Sequence, residues 1–332
     1  MMFRFFVVAL AGLLMAFQAA PSPRPQLTPA LSALVEDAAA ARTFDYLALK
    51  AEGVNLRTLA DAVYMRTRTE GGPASGRCLT EAEAEIQSSL MAALAVDGPE
   101  AFERDRAAAD EALGKWRAFS RSMAEGRVVT EEPFSWVSER YTAAAAETNP
   151  RVRELLTRAA GDQLIRRAFE GAEQIWGPLS PGAKARTDTA LNTMMCETDG
   201  ANTAWLKADI AANGWFLIST SGETASTTAW LMAQHADRDP AFQKAVLAML
   251  EPLVARGETS AANYAYLWDR VAVGEHRPQR YGTQGRCAAK DVWAPQELED
   301  PDRVDALRAE ADIGTLAEYA SHMNKYCADV AG

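Results

Sequence analysis

The chain lacks several features on which whole classes of protein depend. Its 34 Lys and Arg residues are outnumbered by 45 Asp and Glu residues, which gives a formal net charge of −11. Such an acidic chain is poorly suited to hold nucleic acid or an anionic membrane surface, so neither is predicted as a partner. The sequence contains neither a G-x-G-x-x-G loop nor a G-x-S-x-G elbow. It therefore carries no signal for dinucleotide binding or for the nucleophile of α/β-hydrolases.

Cysteine is also scarce, with four residues in the chain and no C-x-x-C spacing. The missing spacing argues against a structural zinc site. An even number of cysteines in an exported chain is typical of disulfides. Four cysteines allow three pairings, of which we predict Cys287–Cys327 inside one region and Cys78–Cys196 between two regions.

Long apolar runs are absent after the N-terminus. The run found there, Phe5–Phe17, covers thirteen residues, whereas a membrane-spanning helix needs about 20. Because Arg4 precedes it, the run fits the apolar core of a signal peptide. We therefore predict a signal peptide over residues 1–20 and a mature protein that is periplasmic or secreted, with no integral membrane span. An uncleaved N-terminal anchor is the alternative.

The remaining chain is a succession of helix signals. A proline-rich leader at residues 21–27 precedes a helical accessory region predicted at 28–150. Asn149-Pro150 marks the boundary, because the residue before a proline disfavours the helical conformation. We predict a second helical domain at 151–326, in which short loops join antiparallel neighbours.

Within this second domain, separate helices are predicted at Ala183–Met195 and Asn202–Ala212. A strand pattern is found at Gln279–Thr283, with a return at Asp291–Ala294. The predicted fold class is therefore mainly α, a multi-helix bundle with one small β-hairpin near the C-terminal end.

Polar residues recur in the second domain at positions where folding of the helices does not require them. His235 lies in the last turn of a helix predicted at Glu223–Ala236. It has two interpretations, a general acid or base and a histidine that caps the carbonyl groups of its own helix. Its neighbour Gln234 points about 100° away around the helix.

Asp269 and Arg270 are adjacent on one helix and so cannot face each other. An inward Arg270 would hold a carboxylate or phosphate through its planar fork, and the alternative is a salt bridge to a neighbouring helix. Tyr281 can donate a proton or a hydrogen bond, and the alternative is aromatic packing beside a turn. The candidate catalytic residues are His235, Tyr281 and Asp269, and the candidate ligand-binding residues are Gln234, Arg270, Gln279, Gln284, Asn202 and Asp162.

A metal site is a weaker interpretation of the same region. His235 is followed by Asp237 and Asp239, but one histidine with two nearby carboxylates is a thin ligand set for zinc. Asp239 also precedes a helix that it can cap. No metal or cofactor is predicted, and His276 and His322 are predicted to lie at the surface.

The order and spacing of these polar pieces resemble a bacterial domain-of-unknown-function family. The matching pieces are Gln234-His235-Ala236-Asp237, Asp269-Arg270-Val271 and Tyr281-Gly282-Thr283-Gln284. The resemblance covers roughly residues 151–326, and Phe216 stands where that family has proline. It implies a shared domain and a shared polar set, but no activity.

Three functions fit this set of residues. The first is a cell-envelope hydrolase in which His235 is the general acid or base, Arg270 holds an anionic group and Tyr281 orients the substrate. The second is a non-catalytic module that binds a small polar or anionic ligand or a wall fragment. The third is a structural or interaction protein whose polar residues form a buried network. The sequence assigns neither a substrate nor an oligomeric state.

Overall fold

The computed structural model describes residues 25–68 and 76–328. The predicted signal peptide and most of the leader lie outside these described residues. Within them, the chain forms sixteen α-helices, one short 3-10 turn and one two-stranded sheet, which confirms the mainly α fold with a small hairpin near the C-terminal end. None of the helices in this part combines the length and apolar character that a bilayer span requires.

The helices divide at Pro150 into two consecutive groups. The first group is α1 (Pro29–Ser32), α2 (Ala38–Thr43), α3 (Tyr46–Ala51), α4 (Leu56–Met65), α5 (Glu81–Ala95), α6 (Pro99–Ala124) and α7 (Ser135–Ala146). The second group is α8 (Pro150–Gly171), α9 (Glu173–Trp176), α10 (Pro181–Asn213), α11 (Ile218–Ser221), α12 (Glu223–Gln234), α13 (Pro240–Val254), α14 (Ala261–Gly274), α15 (Val304–Glu310) and α16 (Leu316–Asn324). The strands are β1 (Gly285–Ala289) and β2 (Val292–Pro295).

Several helices begin at the capping residues that the sequence indicates. Thr80 and Glu83 form a complete capping box at the start of α5. Asn149 and Asp239 each accept a backbone hydrogen bond at the start of a helix whose first residue is proline. These local interactions satisfy N–H groups that would otherwise lack partners.

The helix α10 is continuous, so the prediction of two separate helices at Ala183–Met195 and Asn202–Ala212 is wrong. Gly200 lies in its middle, where glycine costs about 1 kcal/mol relative to alanine. However, α10 packs against α5, α6 and α8 along its length. This packing outweighs the local preference, and it places Asp199 in mid-helix rather than at a helix start.

The hairpin also differs from the prediction. Strands β1 and β2 are antiparallel, with Cys287 opposite Trp293, whereas the first strand was expected at Gln279–Thr283. Residues 280–283 form a loop, because the N–H groups of Arg280, Tyr281 and Thr283 bond to the side chain of Asp269 instead of to a neighbouring strand. Gln279 forms only an isolated bridge with Leu298. Gly282 has a φ of +66°, which suits a tight loop and not an extended strand.

Two disulfides join Cys78 to Cys196 and Cys287 to Cys327, which confirms both predicted pairs. The first disulfide connects the segment before α5 to the middle of α10. A cluster of buried apolar residues also includes both Trp116 of α6 and Leu164 of α8. Helices from the two sides of Pro150 therefore share packing and a covalent link.

Glu83 provides a test of how the first group of helices is held. Its side chain is 1% exposed and accepts hydrogen bonds from Arg66, Arg77 and the Thr80 backbone. Burial alone would raise the pKa of Glu83, but the two guanidinium groups and the backbone N–H lower it to about 2. A carboxylate with a lowered pKa stabilises the fold above its unfolded pKa, and this contribution is lost as the pH falls through the folded value.

We therefore expect Glu83→Gln to lower the free energy of unfolding by about 2 kcal/mol at pH 7. The difference from the wild type should shrink as the pH falls from about 4.5 towards about 2. Urea unfolding at a series of pH values measures this, with the exposed neighbour Glu81→Gln as the control. A difference that stays constant over the whole range would contradict the assignment.

Candidate functional site

A cleft of about 1070 Å³ lies between the two groups of helices. Its volume is slightly above the range of about 300–1,000 Å³ that is usual for small-molecule sites. One wall is α10, another is the connection between α12 and α13, and a third comes from the end of α4 and the residues before α5. The polar residues of its lining include Tyr64, Thr67, Arg68, Asp199, Thr203, Lys207, His235, Asp237, Arg238 and Asp239.

His235 lies at the wall of this cleft, immediately after the end of α12. Its Nδ1 is 3.0 Å from Oδ1 of Asp162, which projects from the middle of α8 and is 1% exposed. A carboxylate accepts a hydrogen bond from Nδ1–H, so this contact favours the tautomer whose Nε2 carries a free lone pair. Among the described residues, Nε2 has no hydrogen-bond partner. The imidazole is thus oriented by its buried partner and open on its other side.

Arg166 and Asp199 complete a cluster around this pair. Nη2 of Arg166 lies 3.2 Å from Asp162 and 2.5 Å from Asp199. One ligand atom each from Asp162, Asp199 and His235 lie within 4.8 Å of one another. One guanidinium therefore bridges two carboxyl groups, and the second of these lines the cleft beside the imidazole.

The two carboxyl groups of this cluster have pKa values that differ in direction. Burial by itself would raise the pKa of Asp162, but the hydrogen bond from His235, the positive charge that His235 carries when protonated, and Arg166 lower it to about 2. Burial raises the pKa of Asp199 to about 7, helped by the negative charge of Asp162 and opposed by Arg166. Two neighbouring carboxyl groups whose pKa values are shifted in opposite directions are a common arrangement of catalytic acids and bases.

The spacing of Asp162, Asp199 and His235 also suits a metal ion. However, Arg166 donates hydrogen bonds to both carboxyl groups, so its positive charge already occupies the position next to these ligands. A divalent cation there would meet electrostatic repulsion. The residues present therefore fit a guanidinium-bridged cluster better than a metal centre.

Asp237 and Asp239, which the sequence suggested as weaker metal candidates, are engaged elsewhere. Asp239 caps α13 and pairs with Lys207 at 2.5 Å. Both oxygens of Asp237 accept hydrogen bonds of 2.8 Å from Arg270. Arg270 thus makes a salt bridge from α14 to the turn between α12 and α13, which corresponds to the alternative to anion binding. It also reaches Gln284 at 3.5 Å and lines a small neighbouring pocket of about 170 Å³.

Asp269, Gln279 and Tyr281 are placed outside the lining of the large cleft. Asp269 is fully buried and accepts hydrogen bonds from three backbone N–H groups and one hydroxyl of residues 280–283. The Gln279 side chain bonds to the backbone of Gln284 and Gln296. Tyr281 packs edge to face on Trp268. These contacts hold the loop after α14 in shape.

Gln234 and Asn202 are both buried, at 7% and 5% exposure. Oε1 of Gln234 and Nδ2 of Asn202 have no hydrogen-bond partner among the described residues. Asn202 lies three residues after Asp199 on α10, and Gln234 directly precedes His235. The structure therefore brings together His235 and Asp162 in one cluster, and these two amides lie within three residues of its members in the sequence.

The sequence did not put Asp199 among the candidate site residues, nor did it predict the wall contributed by Tyr64, Thr67, Arg68 and Leu79. Asp199 falls between the two helices predicted at Ala183–Met195 and Asn202–Ala212, whereas the structure places it within the continuous α10. The spacing of Asp162 and Arg166, one helical turn apart, was a usable signal for the guanidinium. For Tyr64, Arg68 and Leu79 no comparable signal exists, because long-range packing brings them to the cleft.

Comparison with known proteins places the second group of helices in a family. No curated protein and no solved structure matches the chain. Residues 150–330 match a family of unknown function, DUF6624, which agrees with the resemblance noted over roughly residues 151–326. Because the match covers more than half of the chain, the protein belongs to the DUF6624 family.

Proposed function

We propose that the cleft is the active site of a hydrolase that acts on small polar molecules and activates water through His235. The observation that carries this proposal is the 3.0 Å contact between Nδ1 of His235 and the buried Asp162 at the wall of a 1070 Å³ cleft. A carboxylate in this position fixes the ring and stabilises the imidazolium that forms when Nε2 accepts a proton.

The chemistry follows from the charges of the cluster. Nε2 of His235 takes a proton from water while the water oxygen attacks the electrophilic centre of the substrate. Asp199 donates its proton to the leaving group, because its raised pKa of about 7 leaves it partly protonated near neutral pH. The proton on His235 then returns to Asp199, which restores the starting state. Asp162 stays ionised throughout, consistent with its lowered pKa.

Two further features are part of the proposal. We assign residues 28–150 as an accessory layer that supplies one wall of the cleft, since Tyr64, Thr67 and Leu79 line it. We also propose that the protein works outside the cytosol, where its two disulfides are stable. The apolar N-terminal run at Phe5–Phe17 supports export.

A panel of chromogenic esters, anilides, phosphodiesters and glycosides tests the proposed hydrolysis. We expect turnover of at least one class, and a fall of about 10²–10⁴-fold in His235→Asn, because the general base is lost. The exposed His322→Asn is the matched control and should keep wild-type activity. Turnover that survives in His235→Asn would contradict the role of His235 as the base. A ligand recovered unchanged from the whole panel would favour a non-catalytic binding module instead.

A further inference from the structure

The acidic and basic side chains that line the large cleft differ in whether they have partners of opposite charge. Each carboxylate of its lining has a cationic partner: Asp199 bonds to Arg166, Asp237 to Arg270, and Asp239 to Lys207. Two arginines of the same lining, Arg68 and Arg238, have only uncharged partners among the described residues. In a chain with 45 acidic and 34 basic residues, such a pair of guanidinium groups facing a cavity is unexpected.

The two arginines lie close together. Arg68 pairs with Gly76 in an isolated β-bridge, and its guanidinium bonds to the hydroxyl of Tyr64. Nη1 of Arg238 donates to the carbonyl of Arg77, and a Cβ placed on Gly76 would lie 3.4 Å from that nitrogen. Arg238 therefore packs against the bridge that Arg68 forms.

The positive charges of the two arginines repel each other. Burial lowers the pKa of Arg238 most and the positive charge of Arg68 lowers it further, whereas Tyr64 and the carboxyl groups of Asp199 and Asp237 raise it. A bound anion would relieve this repulsion, and guanidinium groups hold phosphate and carboxylate oxygens through paired hydrogen bonds.

We propose that Arg68 and Arg238 bind the anionic group, a phosphate or a carboxylate, of a ligand that extends along the cleft to His235. Arg238 is three residues from His235, so their Cα atoms are at most about 11 Å apart. One small molecule can therefore span both positions. The inference rests on the proposed function and deepens it by giving the substrate an anionic group. It assigns anion recognition to Arg68 and Arg238 and not to Arg270.

Calorimetric titration at low ionic strength with inorganic phosphate and with acetate tests this site in the full chain. We expect at least one anion to bind, and binding to weaken at least tenfold in Arg238→Gln and in Arg68→Gln. Arg238→Lys keeps the positive charge but lacks the planar guanidinium, so its affinity for the anion should lie between the affinities of these two variants and that of the wild type. The exposed Arg104→Gln is the control and should bind like the wild type. The anion that binds more tightly identifies the ligand group.

Binding of neither anion, or equal affinity in the wild type and in a folded Arg238→Gln, would overturn the inference. His235→Asn should retain anion binding, which separates the two proposals. If the anion binds through the arginines but no substrate class is hydrolysed, the proposed reaction fails and the anion site remains. If hydrolysis depends on His235 but neither anion binds, only the anion site fails.

Discussion

Asp269→Ala should lower the free energy of unfolding by about 3–5 kcal/mol, because it removes the acceptor for several buried donors at once. Asp269 is fully buried and accepts from the N–H groups of Arg280, Tyr281 and Thr283 and from the Thr283 hydroxyl. A buried donor without a partner costs about 1–3 kcal/mol. Water entering the space left by the carboxylate recovers part of this loss.

Denaturant unfolding of purified variants measures the effect. The exposed Asp302→Ala serves as the control and should change stability by less than about 0.5 kcal/mol. Asp269→Asn keeps the side-chain size and one acceptor oxygen, so its free energy of unfolding should lie between those of Asp269→Ala and the wild type. A stability of Asp269→Ala within 1 kcal/mol of the wild type, a threshold of about one net hydrogen bond, would show that the carboxylate does not hold the loop.

Asp162→Asn should lower activity about as strongly as the loss of the base in His235→Asn. We expect kcat/KM on the hydrolysed substrate class to fall by about 10²–10⁴-fold, because an amide no longer fixes the tautomer of His235 or stabilises its imidazolium. The change is nearly isosteric, so the ring should remain in place.

Asp188→Asn, at a half-exposed position of α10 where the carboxylate pairs with Lys184, is the matched control and should keep full activity. Thermal unfolding of both variants separates lost chemistry from lost structure, since Arg166 retains Asp199 as a partner in Asp162→Asn. Unchanged kcat/KM in Asp162→Asn would show that the pair has a structural role only.

Much of the fold was predictable because its signals are local. The capping box of Thr80 and Glu83 starts α5 within four residues of sequence, and Asn149-Pro150 starts α8. Both disulfide pairs were also predicted correctly from the position of the cysteines relative to Pro150. Such features depend on neighbouring residues or on simple chain topology.

The errors share a different cause. The sequence predicts a break in the middle of α10, but this segment is helical in the structure, where α10 packs against α5, α6 and α8. The residue types of the loop after α14 alternate as in a strand. However, its backbone N–H groups donate to Asp269, which lies 11–14 residues earlier in the chain on α14. The meeting of Asp162 with His235, 73 residues apart, likewise depends on tertiary packing. Local patterns do not encode these contacts.

The most direct test of the oriented histidine is carbethoxylation by diethyl pyrocarbonate, followed residue by residue by mass spectrometry. The chain has three histidines, of which His276 and His322 are exposed and serve as internal references, whereas the His235 side chain is 16% exposed. We predict that His235 reacts at least as fast as these two, because Asp162 holds Nδ1 and increases the electron density at an open Nε2. An unreactive His235 beside fully modified His276 and His322 would contradict an accessible base in the cleft.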